Sequence, residues 1–263
     1  MHVNTFDRYE ARHSLIHRLD PRVKVIITVA FIFANVLLPD GAWLAFLASW
    51  AMLLLVQRLA QLSWGYAFRR SFVALPFVLA AVTVVFNLPG RAVWIINVGS
   101  WQLVATDAGL LRFFSIVVRS WLSVQMAILL TATTQFPDLI HALRHLYVPQ
   151  PIVSIISFMY RYMFVMVDEA GRLMRAREAR SARPPGGGGG GSIAWRARVT
   201  GNMAGQLFLR SYERSDRVYN AMLARGYQGH LLTINQHQMK RQDWLIGGLA
   251  LLVLLLIQLL GRL

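Results

Sequence analysis

The sequence predicts an all-α membrane protein: about five transmembrane helices plus a cytoplasmic module of one short and two long helices. Three observations carry this. Several apolar runs reach the length of a bilayer span with almost no charge in them. Arginine clusters recur at alternate ends of those runs, as expected when basic segments stay inside the cell. Last, residues 152–226 hold two long arginine-rich helical patterns joined by six glycines, and neither contains 18 uninterrupted apolar residues.

Composition narrows the class further. The 263 residues are 56% hydrophobic and carry a net charge of +15, with a pI near 11.3. A soluble nucleic-acid binder shares the pI but not the apolar runs, so no nucleic-acid partner is expected. The chain has no cysteine, which excludes disulfides and thiolate metal sites. Residues 1–20 are polar, lack the apolar core of a signal peptide and bear Arg8, Arg12 and Arg18, so they read as a cytoplasmic tail.

Four spans are expected within residues 21–135. Asp20 and Pro21 suit the cap and first position of a helix, which opens span 1 and runs to the turn at Pro39, Asp40 and Gly41. Span 2 covers 41–57, and the next loop carries Arg58, Arg69 and Arg70. Span 3 covers 71–86 with a kink at Pro76. Residues 87–106 read as a nearly uncharged loop with turns at Pro89-Gly90 and Gly99, where Trp94 and Trp101 suit the far membrane interface. Span 4 covers 109–134 and contains Arg119, which is costly in lipid and should face other helices or a polar partner.

Residues 136–242 form the cytoplasmic module, with helices at 136–148, 151–182 and 193–226 and a Gly-rich linker at 183–192. In the first, Leu139, Leu143 and Leu146 share a side. In the last, Phe208, Tyr212, Tyr219 and Met222 follow one stripe, with Arg210, Arg214 and Arg217 roughly opposite. The two long helices end in similar motifs, Ala179-Arg180-Ser181 and Ala224-Arg225-Gly226. Gly226 suits a left-handed helix closure, and Arg225 lies at the negative end of the helix dipole. Residues 243–263 hold span 5, which leaves the N-terminus inside and the C-terminus outside.

Catalytic chemistry finds little support. The glycine run 186–191 is followed by Ser192, with no lysine to reach a phosphate, so it is a linker and not a P-loop. His141 and His145 are spaced i, i+4 but lack a third ligand or an HExxH pattern, so no metal site and no cofactor are assigned. A self-contained ion-coupled transporter or channel would place acids or histidines inside its spans; spans 1, 2, 3 and 5 have none in their interiors, and Asp107 sits at the edge of span 4. Met159, Met163, Met166, Met203 and Met222 read either as core filler or as a surface that repacks.

Four stretches together resemble the transmembrane T component of energy-coupling-factor (ECF) importers, most closely the CbiQ type that serves cobalt and nickel uptake. They are LDPRVKVIITVAF (19–31), TATTQFPDLIHALRHLYVP (131–149), SFMYRYMFVMVDEAGRLMRAREARSA (157–182) and LFLRSYERSDRVYNAMLARGY (207–227). The resemblance implies a non-catalytic subunit of a prokaryotic cytoplasmic membrane. Its partners would be two CbiO-like ABC ATPases and a CbiM-like membrane substrate-binding subunit, with or without a small CbiN-like one. It also implies that Ala179, Arg180 and Ser181, and Ala224, Arg225 and Gly226, enter grooves on the ATPases. Ser181 stands where the family often has glycine. A vitamin-type ECF importer is the alternative, its substrate subunit being different.

Overall fold

The fold comes from a computed structural model that describes residues 9–98, 101–180, 192–229 and 239–263. Ser181, the glycine run 186–191 and Gly99, singled out above, lie outside them. The described chain is helical except for one β-hairpin, and it divides into two compact units, Met1–Leu146 with Gln236–Leu263, and Tyr147–Asn235.

In the first unit, a short helix α1 (Leu15–Arg18) precedes α2 (Pro21–Leu37). Asp20 caps α2 by accepting from the Arg22 N–H at 2.8 Å, and Pro21 occupies the first helical position, where no N–H is needed. Helix α3 (Trp43–Leu59) follows the turn at Pro39–Gly41. At 17 residues each, α2 and α3 are about 26 Å long, at the short end of the range for a span.

The third span departs from the expected 71–86. The chain instead forms α4 (Trp64–Arg70), a 3₁₀ turn (Ser71–Ala74), α5 (Leu75–Ala81) and α6 (Thr83–Asn87), and its two halves meet at 54°. Pro76 has no N–H to return to the Phe72 carbonyl and its ring crowds that turn. The Leu75 N–H bonds the Phe72 carbonyl in its place.

The expected loop 87–106 is also corrected. Ala92–Val98 (β1) and Trp101–Thr106 (β2) pair antiparallel, with Ala92 opposite Thr106 and an irregularity between Ala92 and Trp94. The β-branched and aromatic residues that made this stretch look like an uncharged loop are those that fit a pleated surface. Trp94 is exposed. Thr106 ends the hairpin and caps α7 (Asp107–Thr133): its hydroxyl donates to the Leu88 carbonyl at 2.9 Å and accepts from the Gly109 N–H at 3.1 Å. A Cβ on Gly109 would stand 2.5 Å from the Val85 carbonyl oxygen, so this glycine lets α6 and α7 meet.

Helix α8 (Phe136–His145) follows, and it buries Ile140 and Ala142, whereas Leu139, Leu143 and Leu146 are half-buried. Helix α11 (Arg241–Leu260) closes the unit. The core lies where α2, α3, α7 and α11 meet, around Phe31, Leu53, Leu122, Leu129 and Leu254. Arg119 on α7 reaches the α2–α3 turn, donating to the Leu38 carbonyl at 2.6 Å and the Asp40 carboxylate at 2.8 Å. That is the polar partner its place in an apolar helix calls for.

The second unit contains α9 (Gln150–Arg180) and α10 (Ile193–Ala224). Helices α7, α9 and α11 are long and apolar enough to cross a membrane, and the bent α4–α6 segment adds a fourth candidate. Helix α9 qualifies by length and composition although Arg161 leaves it without 18 uninterrupted apolar residues.

Candidate functional site

The second unit carries both arginine-tipped helix ends. Ser192 starts α10, accepting from the Trp195 N–H at 3.3 Å. The other end closes as a Schellman motif: the Gly226 N–H bonds the Leu223 carbonyl at 2.9 Å and the Tyr227 N–H bonds the Met222 carbonyl at 3.0 Å. Gly226 has φ +79, the left-handed conformation expected of it. Arg225 sits just before this reversal, so its position is set by the hydrogen bonds of the cap. Ala224, Arg225 and Gly226 are exposed, as are Ala179 and Arg180 at the end of α9. Among the described residues neither Arg180 nor Arg225 forms an ion pair.

The first half of α9 and the second half of α10 enclose a groove of about 680 Å³. Phe158, Met159 and Tyr162 line one wall, and Tyr212, Tyr219 and Met222 the other, with Pro151 and Tyr227 at one end and Met166 and Phe208 at the other. The α9 start thus faces the α10 end, and the two arginine tips point away from each other. Counting from the crossing near Glu169 and Arg210, the tips lie on the order of 30 Å apart. Of the five methionines singled out in the sequence, Met159, Met166 and Met222 line this groove.

Two of the arginines assigned to the opposite face of α10 are placed differently. Arg214 lines the groove beside the aromatic residues, and Arg210 is bonded to Glu169 of α9. Arg217 is exposed. Arg214 shares a helix face with Ser211 and Val218, three residues before and four after it, and both of these also line the groove.

Sequence reasoning missed Glu169, which is 8% exposed and accepts from the guanidiniums of Arg172 and Arg210. The available signal was Arg172 three residues on, a helical ion-pair spacing. It also missed Lys24 and Asp243, both buried in the first unit. His141 and His145 have ring centroids 4.8 Å apart, but no group of three potential metal ligands occurs among the described residues.

Comparison with known proteins follows the same lines. Residues 12–238 match the CbiQ family, described as cobalt transport protein. The ECF transporter transmembrane protein EcfT of Thermosediminibacter oceani is 29% identical, the match covering 86% of this chain and 84% of that protein. That of Lacticaseibacillus paracasei is 27% identical over 92% of both chains. An uncharacterized protein of Methanocaldococcus jannaschii is 27% identical over 90% of this chain and 80% of its own length.

Proposed function

Because the chain belongs to the CbiQ family, the transmembrane T components of ECF importers, we propose that it transmits ATPase motion to a membrane subunit that binds cobalt or nickel. The observation that carries this reading is the pair of exposed arginines, one at each far end of two crossed helices and neither engaged in an ion pair among the described residues. A guanidinium offers a planar fork of donors suited to a carboxylate in a groove, and the helix C-terminus favours a cation there. Two separated tips match two ATPase partners. Rigid helices between them convert a change in ATPase spacing into a movement of the groove walls.

In this reading residues 136–242, with α8, α9 and α10, lie in the cytoplasm, and Ala179-Arg180-Ser181 and Ala224-Arg225-Gly226 enter the ATPases. The arginine clusters at Arg58, Arg69 and Arg70 and in the N-terminal tail support that orientation, in a prokaryotic cytoplasmic membrane. The chain itself hydrolyses no ATP, and metal choice rests with the CbiM-like partner. A vitamin-type importer would use the same coupling parts with a different substrate subunit, and the EcfT relatives keep that reading in play.

The test is uptake of labelled cobalt, nickel and vitamins in cells that express the chain with the ATPase and substrate subunits it co-purifies with. ATP-dependent metal uptake that vanishes without this chain is the expected result. Uptake of a vitamin alone moves the chain to the alternative, and ATP hydrolysis by the chain free of ATPases contradicts both.

A further inference from the structure

The groove and the tips leave one buried group without a role. Glu169 lies on α9 where that helix meets α10, and its side chain is 11% exposed, whereas the guanidiniums that reach it belong to side chains 56% (Arg172) and 54% (Arg210) exposed. Arg172 is on the same helix, so it neutralises the carboxylate without joining anything. Arg210 is on the other helix, 41 positions later, and donates to the second carboxylate oxygen, Oε1. A carboxylate shared in this way ties the two helices at one point and holds their crossing there.

The position gives this tie its effect. Glu169 precedes the tip of α9 by eleven residues and Arg210 precedes Arg225 by fifteen, lever arms of about 16 and 22 Å. A 10° rotation at the crossing moves the Arg225 tip by about 4 Å on that arm. Between the start of α9 and the Arg225-bearing arm of α10 lies the open groove of about 680 Å³, so packing there does not by itself define one angle. We propose that Glu169 is a positioning residue: with Arg210, it forms a charge clasp that sets the angle between the two arginine-tipped arms. Arg172 acts as the local counter-charge that keeps Glu169 ionised when α10 swings. What the tips grip rests on the function proposed above, but the clasp itself concerns this chain alone.

The experiment is a distance measurement on the full chain in lipid nanodiscs, without ATPases. Spin labels are placed at Met174→Cys and Leu223→Cys, both exposed and beyond the crossing; the chain supplies no competing thiol. The clasp predicts one narrow distance distribution for the parent. Arg210→Ala and Glu169→Gln should each broaden it and move its maximum by several ångström. Arg210→Lys, which keeps the charge but not the fork, should fall between, and Arg217→Ala, on the same helix but outside the clasp, should leave it unchanged. Helical content by circular dichroism identifies a variant that has unfolded; should Glu169→Gln do so, Arg210→Ala carries the test. A parent-like distribution in Arg210→Ala, or equal broadening in Arg217→Ala, overturns the clasp. Loss of ATPase binding plays no part in this outcome, so the two proposals fail separately.

Discussion

The ammonium of Lys24 donates to the carbonyl of Thr133, the last residue of α7, at 3.0 Å. The same group donates to the His17 carbonyl at 3.2 Å, in the last turn of α1. One cation thus caps two helix C-termini, where carbonyls lack partners and the dipole is negative. Asp20, Asp138 and Asp243 supply the surrounding negative charge. Asp243 in turn accepts from the Asp20 N–H at 3.3 Å and the Lys240 N–H at 2.8 Å, which joins the starts of α2 and α11.

Lys24→Met should therefore destabilise the first unit by about 2–4 kcal/mol, since it leaves buried carbonyls and carboxylates uncompensated. Lys24→Arg should cost less. Thermal unfolding in detergent, followed by tryptophan fluorescence, checks the order. Equal stability of Lys24→Met and the parent would show that the joint contributes nothing.

His17 adds a pH dependence. Its Nε2 faces the Glu10 carbonyl at 3.0 Å and its Nδ1 the Ser14 hydroxyl at 2.7 Å. The network assigns the proton to Nε2, which donates, while Nδ1 accepts from Ser14. Burial, and then the charge of Lys24, lower its pKa below the ordinary 6.5. Below 6.5 the unfolded chain binds a proton that the folded one resists. This contribution to stability is therefore full above about pH 6.5 and shrinks as pH falls below it. His17→Gln should flatten that part of the stability–pH curve; an unchanged slope would contradict the assignment.

Much of the fold was legible because it rests on local rules. Asp20-Pro21 reads as a helix start and Gly226 as a helix end, since each depends on a few adjacent residues. The β-hairpin was not legible, because the same β-branched residues serve an apolar loop and a strand until a partner strand is known. Nor were the long-range ties: Arg119 to Asp40, Glu169 to Arg210 and Asp243 to Asp20 join residues 79, 41 and 223 positions apart. Periodicity places a side chain on a face of its own helix but does not say which other helix covers that face. For this reason periodicity sets Arg210 on the face opposite the aromatic stripe but does not pair it with Glu169.

Gly226→Ala tests whether the cap matters to the tip beside it. Its φ of +79 costs an L-residue about 1–2 kcal/mol, so the Schellman closure should loosen and Arg225 lose its fixed place. ATPase co-purification should fall several-fold with Arg225 still present. Gly226→Asn, which tolerates this conformation better, should recover part of it. If both variants bind like the parent, Arg225 does not depend on its cap.

The most direct test of the coupling role removes both tips. Arg180→Ala with Arg225→Ala should abolish co-purification of the ATPase subunits and ATP-driven uptake, with expression and membrane insertion near those of the parent. Each charge-assisted bond is worth about 1.5–3 kcal/mol, so each single variant should weaken binding by roughly 10- to 150-fold and the pair by more. Charge reversal, Arg225→Glu, should be worse than Arg225→Ala. A double alanine variant that retains its ATPases and transports at the parent rate would contradict the account: the two arginines would then be part of a solvated basic surface.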